Sequence, residues 1–334
     1  GEIYNYQELK KELQEAGHTF VSNTDSETLI HGYEEWGESL VERLRGMYAF
    51  AIWDTRKKKL FAARDIFGIK PLYYAQMNGT LMFASEIKAF MEHPKFDKVF
   101  NEDALGNYLS FQFVPTNETF FKGVFCLQPG HYFTYENGEL NITRYFEPNF
   151  TGDTEKSFEE IVDDVEAVMK ESVAMHKISD VEVASYLSSG VDSSYLTYLG
   201  QVDRTFTVGF DEGKYSEIQD AKEFAASINM KNDAKVITPE EYWDRLSDIQ
   251  YYMDEPVADP AAIALYFLSE EASKKVKVVL SGEGSDELFG GYNIYCEPLE
   301  HTSFNKIPMP IRRFLVAFAE RCLPRGMKGR GFLM

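Results

Sequence analysis

From Val181 onward the chain alternates short apolar runs with helical segments, and that alternation leaves few folds open. Val181 to Leu187 reads as a strand, followed by a Ser/Gly loop and a helix. Thr205 to Phe210 is the next strand, and Ser216 to Ile228 the next helix. Ala234 to Ile237 is a short strand, Ala261 to Ser273 a helix, and Val276 to Leu280 a strand of the buried type. Thr238-Pro239-Glu240-Glu241 opens one more helix, with a capping Thr, a first-turn Pro and a Glu at the third position. Repeated strand–helix units imply a parallel sheet covered on both faces. Ligands on such sheets bind at the carboxyl ends of the strands.

Residues 1–150 carry a different pattern. Tyr6, Leu9 and Leu13 have helical spacing that stops at Gly17. Tyr48 to Asp54, a Thr55-Arg56-Lys57 turn and Lys59 to Ala63 form a hairpin signal. Leu72 to Ala75 and Thr80 to Phe83 flank Asn78-Gly79, a dipeptide suited to a type I′ turn. His131 to Tyr135, Asn137-Gly138 and Leu140 to Tyr145 predict a third hairpin. The composition shifts near Asn149 to Lys156, after which Ser157 and Glu160 fit a capping box. Phe158, Ile161, Val162, Val165, Val168 and Met169 continue at helical spacing. The expected domains are therefore 1–150, antiparallel, and 151–334, parallel α/β.

The charge balance narrows the partners. With 34 basic against 54 acidic side chains the net charge is −20, which repels phosphate backbones and anionic membrane surfaces. Nucleic-acid and membrane partners are not expected. Cys126, Cys296 and Cys322 lie far apart, without a disulfide framework or a zinc-ligand spacing. The six histidines show no H-E-x-x-H spacing and read as surface or core residues. No apolar run approaches the ~18 residues of a membrane span, so a cytoplasmic protein is expected. The basic stretch Ile311 to Arg330 predicts a surface helix packed by Ile311, Phe314, Leu315 and Phe318. Lacking an initiator Met and starting within a patterned segment, the chain reads as a fragment cut at both ends.

Two strand-end loops carry the chemistry. Leu187-Ser188-Ser189-Gly190-Val191-Asp192-Ser193-Ser194 sits between a strand and a helix. Its small residues let backbone N–H groups converge on an anion, to which the helix dipole adds. Asp192 offers a ligand for phosphate-bound Mg²⁺. The same segment also suits an ordinary tight turn. Ser281 to Tyr292 follows the last buried-type strand and sets Glu283, Asp286 and Glu287 among glycines. Carboxylates that close are costly to assemble without a cation or a proton.

These residues resemble known motifs. The first loop is similar to the S-G-G-x-D-S pyrophosphate loop of the N-type ATP pyrophosphatases, with Ser189 where the pattern has Gly. A serine there must avoid positive φ or tolerate strain. Ser281-Gly282-Glu283-Gly284-Ser285-Asp286-Glu287-Leu288-Phe289-Gly290-Gly291-Tyr292 resembles the S-G-E-G-S-D-E-x-F-G-G-Y motif of asparagine synthetases. In residues 1–150, Gly1-Glu2-Ile3-Tyr4-Asn5 and Thr24-Asp25-Ser26-Glu27 look like the glutaminase segments of the same family. So do Leu44 to Asp54 and Ala63 to Tyr74, which read mainly as scaffold.

The resemblance implies an N-terminal-nucleophile glutaminase of stacked antiparallel sheets with helices. A parallel, doubly wound α/β ATP pyrophosphatase domain follows it. It implies ATP and Mg²⁺ as cofactors, with aspartate and glutamine or ammonia as substrates. Leu187, Ser188, Ser189, Gly190, Asp192, Ser193, Val208, Ser281 and Gly282 would then line the ATP and pyrophosphate site. Glu283 would support the β-aspartyl-AMP intermediate, while Asp192 and Asp286 would hold Mg²⁺. Gly1, Glu2 and Asp25 would hold glutamine, and Asp25 alone also suits a helix N-cap. Asp254, Glu255 and Asp259, in a D-E-P-x-A-D segment, would border an aspartate pocket or form a solvated loop. The family's glutaminase nucleophile is an amino-terminal cysteine, and no cysteine precedes these motifs, so the chain as given is not expected to hydrolyse glutamine. A relative acting on a glycan or peptide carboxylate and a non-catalytic nucleotide-binding relative stay open. Either arrangement is compatible with a homodimer.

Overall fold

The structure is a computed structural model that describes residues 1–77, 79–152, 155–210, 217–256, 258–296 and 306–322. The chain forms two compact units, Gly1–Ser281 and Gly282–Met334. The first begins with β1 (Glu2–Ile3), α1 (Tyr6–Glu15), α2 (Ser26–Trp36), β2 (Gly46–Met47), β3 (Ala49–Asp54) and β4 (Lys59–Arg64). It continues with β5 (Tyr73–Met77), β6 (Thr80–Ala84), α3 (Glu102–Phe111), β7 (Val124–Cys126), β8 (His131–Glu136) and β9 (Glu139–Arg144). These strands are all antiparallel, in sheets of order β3-β4-β8-β9 and β6-β5-β7, with β1 paired to β2. Phe61 and Phe133, both 0% exposed, lie on opposite faces of the β3-β4-β8-β9 sheet: Phe61 packs with Leu9, Tyr33 and Leu40, and Phe133 with Leu72 and Tyr74. Burial of a ring that size contributes about 1.5–3 kcal/mol.

The rest of this unit holds α4 (Phe158–His176), β10 (Val183–Tyr186), α5 (Val191–Gly200), β11 (Arg204–Phe210), α6 (Ile218–Ser227) and β12 (Lys231–Ile237). Then come α7 (Pro239–Met253), α8 (Ala261–Ser273) and β13 (Val278–Leu280). The sheet is parallel throughout, in the order β12-β11-β10-β13. Antiparallel strands end at Arg144 and parallel strands begin at Val183, whereas the compact units divide at Gly282. Both capping boxes form: Ser157 N donates to Glu160 Oε2 at 2.8 Å, and Thr238 N to Glu241 Oε2 at 3.0 Å. The apolar stripe of α4 does not become a core face, since Phe158 is 76% and Val168 59% exposed.

The second unit contains α9 (Ser285–Phe289) and α10 (Met309–Cys322). The expected basic helix is present as far as Cys322, but its expected packing face is not buried, with Ile311, Phe314 and Phe318 exposed; the remainder of that stretch lies outside the described residues. Asn78 of the second hairpin turn and Ser216 of the expected helix also lie outside them, and Gly79 has φ +77°. No helix among the described residues is long and apolar enough to cross a membrane.

Candidate functional site

In the parallel sheet β10 lies between β11 and β13, so strand order reverses there and the carboxyl ends of β10 and β13 lie side by side. This is the switch point where open α/β sheets bind ligands. The loop from Leu187 to Ser193 leaves β10 at that point, and Ser281 follows β13. A buried hydroxyl pair, Ser185 Oγ and Thr197 Oγ1 at 2.8 Å, pins α5 beneath the strand. Leu187 extends the pairing by donating its N–H to Phe206 O at 2.9 Å.

The loop's hydroxyls organise its backbone. Ser188 N donates to Ser193 Oγ at 3.1 Å, Gly190 N to Ser188 Oγ at 3.1 Å, and the two hydroxyls are 2.9 Å apart. Ser189 adopts no positive φ, so the departure from glycine carries no backbone strain. Its N–H donates to the Glu217 carboxylate at 3.3 Å, which places an anion on the loop's own donor. Nothing in the sequence pattern marked Glu217 as a partner, because 28 residues separate the two. Asp192 is exposed in the first turn of α5, and its carboxylate has no partner among the described residues. Val208, half-buried near the end of β11, packs on the cluster of Ile237, Ile249, Ile263 and Phe267.

In the second unit the acidic segment folds tightly on itself. Gly284 sits at φ +91° as the N-cap of α9, a conformation that favours glycine. Gly291 N donates to Asp286 O at 3.0 Å. A Cβ at residue 291 would press into Asp286 Oδ1, so this glycine fixes the space beside that carboxylate. Glu283 is exposed, Asp286 half-buried, and Ser281 and Gly282 half-buried.

At the amino end the structure joins residues that are distant in sequence. Asp25 stands at the N-cap position of α2 but makes no side-chain cap. Instead Asp25 Oδ2 accepts from Ile3 N at 2.9 Å, beside exposed Gly1 and Glu2. Glu27 shapes the preceding loop, accepting from Val21 N and Ser22 N at 2.7 Å each. Hydrogen bonds from the Ser22 hydroxyl and then the Val21 amide hold its carboxyl down at about 2.

The D-E-P-x-A-D segment does something the sequence did not predict. Asp254, at φ +62°, caps the end of α7 and turns its carboxylate onto the antiparallel half. Asp254 Oδ2 accepts from Ile87 N at 2.6 Å, and Oδ1 lies 2.8 Å from Lys88 Nζ. Glu255 Oε1 accepts from Phe120 N at 2.7 Å. Asp254 and Glu255 thus clasp the two halves through backbone donors, with the Lys88 ammonium beside Asp254. Asp259 is exposed and accepts from Ala261 N at 2.8 Å at the start of α8, while Val257 lies outside the described residues.

Burial raises the Glu255 carboxyl above its ordinary 4.5, against the opposing Phe120 hydrogen bond. A raised acid contributes stability below its unfolded value and loses it as pH rises through the folded value. Glu255→Gln keeps an acceptor for Phe120 without the charge. We expect the variant to gain stability relative to the parent as pH climbs above about 4.5, in urea titrations across that range. A constant difference at every pH would show that the charge is irrelevant to the clasp.

Comparison with known proteins follows this division of sheets. The glutamine amidotransferase domain family matches residues 1–146, and the asparagine synthase family matches residues 164–332. Asparagine synthetase (glutamine-hydrolysing) 1 of Bacillus subtilis is 44% identical, covering 100% of this chain and 53% of its own. Asparagine synthetase (glutamine-hydrolysing) 3 of the same organism is 33% identical, over 87% of this chain and 51% of its own. A Gibberella zeae protein named amidase chry2 is 32% identical, over 88% of this chain and 47% of its own. The chain thus spans about half the length of the curated relatives it matches. With the asparagine synthase match alone covering half of its residues, the chain belongs to the asparagine synthase family.

Proposed function

We propose that the protein takes part in ATP-dependent asparagine synthesis. ATP adenylates the β-carboxylate of aspartate, and glutamine-derived ammonia attacks the β-aspartyl-AMP to release asparagine, AMP and pyrophosphate. The observation that carries this reading is the loop Leu187 to Ser193, at a sheet switch point, which contains Asp192, without a partner among the described residues. Residues 151–334 would supply adenylation and residues 1–150 the glutamine site.

Bound Mg²⁺ would neutralise the phosphates that the reaction brings toward a carboxylate. The hard oxygen donor of Asp192 suits that ion, and Asp286 is the second ligand in this reading. Ser188, Ser189, Gly190 and Ser193 would bind pyrophosphate, with Leu187, Val208, Ser281 and Gly282 around the nucleotide. Glu283 would act on the β-aspartyl-AMP. Arrival of phosphate would displace the Glu217 carboxylate from Ser189 N–H. Gly1, Glu2 and Asp25 would hold glutamine, with a carboxylate facing its α-ammonium. The acidic charge and the lack of a membrane-spanning helix among the described residues support a cytoplasmic location.

A second reading keeps this chemistry but moves it to a glycan or peptide carboxylate. The clasp contacts of Asp254 and Glu255 support it, since in this reading both carboxylates serve structure rather than an aspartate pocket.

The test uses the product of the complete reading frame that encodes this chain, with ATP, Mg²⁺, ammonia and L-aspartate. Aspartate-dependent release of both AMP and pyrophosphate is the expected result. ADP and phosphate would overturn the pyrophosphatase assignment. ATP binding without aspartate-dependent turnover would favour another acceptor. Failure of Mg²⁺-ATP to protect the protein against heat would point to a non-catalytic relative.

A further inference from the structure

The six histidines lack a ligand spacing in sequence, yet the fold gathers two of them. His18 lies just after α1, and His31 lies on α2 one turn before Glu34. One donor atom from each of His18, His31 and Glu34 lies within 4.8 Å of the others. Glu34 Oε2 is 3.0 Å from His31 Nδ1 and 3.7 Å from His18 Nδ1. Ligand atoms on a tetrahedral ion with bonds of ~2.0–2.1 Å stand about 3.3 Å apart, so these separations bracket the required edge. Both imidazoles are mostly buried, at 17% and 18% side-chain exposure, and each is backed by a carboxylate. His18 Nε2 is 3.0 Å from Glu35 Oε2, and His31 Nε2 is 3.6 Å from Glu27 Oε1. The His18–Glu35 contact is the outer carboxylate hydrogen bond that orients a metal-ligating histidine and raises its basicity, while Glu27 stands at ion-pair distance behind His31. Among the described residues no Lys or Arg pairs with Glu27, Glu34 or Glu35.

We propose that His18, His31 and Glu34 form a binding site for a borderline divalent cation of the Zn²⁺ class, distinct from any nucleotide-bound Mg²⁺. Two imidazoles and one carboxylate make a donor set that Zn²⁺ prefers and that Mg²⁺, an all-oxygen ion, does not. The ion ties the segment after α1 to α2 and leaves its fourth position to water. Its role is to brace structure. Glu27, behind His31, also holds Val21 N and Ser22 N, and that loop leads to Asp25. The cation therefore stiffens the loop that presents Asp25 to Ile3.

The test titrates ZnCl₂ into chelator-stripped protein by calorimetry, in a Cys296→Ser/Cys322→Ser background because both thiols are exposed. One ion per chain is expected, with affinity falling at least about 100-fold in His31→Ala and in Glu34→Ala, and about tenfold in Glu35→Gln. Co²⁺ in place of Zn²⁺ should give visible absorption of a low-coordinate nitrogen–oxygen site without a thiolate band. Glu34 is 53% exposed, so its variant folds even where a histidine variant does not, and far-UV circular dichroism checks this. Absence of Zn²⁺ binding, or binding unchanged by Glu34→Ala and His31→Ala, overturns the site.

Discussion

Asp192→Ala is expected to lower aspartate-dependent pyrophosphate release by at least about 100-fold, the scale of losing one preorganised charge contact to a developing phosphate. The proposed adenylation brings a carboxylate to a polyanion, so most of its barrier is electrostatic, and a ligand to Mg²⁺ acts directly on that barrier. Asp192→Asn keeps one oxygen donor without its charge and should fall between parent and alanine. Ser193→Ala should also be damaging, because Ser193 Oγ receives Ser188 N–H and shapes the loop. Stability gives the contrast: exposed Asp192 has no partner among the described residues, so its loss removes only a favourable helix-dipole contact. Circular dichroism melts should barely move while turnover collapses. Unchanged pyrophosphate release would remove Asp192 from the metal and leave the loop as an ordinary turn.

How far the sequence could be read depended on the range of the interactions involved. The capping boxes at Ser157 and Thr238 are local, four residues from N-cap to partner, and both form as the pattern predicts. The helix Ala261–Ser273 and the hairpins around Thr55, Gly79 and Gly138 follow from periodicity and turn residues in the same way. β12 begins at Lys231 rather than Ala234, because an edge strand can carry polar residues: Arg204 Nη1 lies 2.5 Å from Asp233 Oδ2 across the ladder. α3 went unmarked since its apolar residues do not share a buried face: Leu109 is 74% exposed and only Ala104 is buried. Contacts between distant residues were the least legible. Neither the union of His18 with His31 nor the clasp from Asp254 to Ile87, 167 residues apart, leaves a local pattern.

Asp65→Ala should be the most destabilising single change, at about 4 kcal/mol or more. The side chain is 0% exposed, and its two oxygens accept four backbone N–H groups. Oδ1 receives Phe67 N at 3.1 Å and Ile69 N at 2.9 Å, while Oδ2 receives Tyr48 N at 3.2 Å and Lys70 N at 3.0 Å. Removing the carboxylate strands four donors at about 1–3 kcal/mol each before relaxation. Water entering the space recovers part of that. A loss this size is a large share of the 5–15 kcal/mol that typically holds a domain together. Asp65→Asn restores two acceptor bonds but turns an amide donor toward the other two N–H groups, so about half the loss should remain. Urea unfolding followed by tryptophan fluorescence measures both, and an alanine midpoint equal to the parent's would mean the loop finds other acceptors. The damage should also reach the proposed glutamine site. Tyr48 adjoins β2, and β2 pairs with β1 through Met47 and Glu2, so an untethered Tyr48 loosens the strand that carries Glu2.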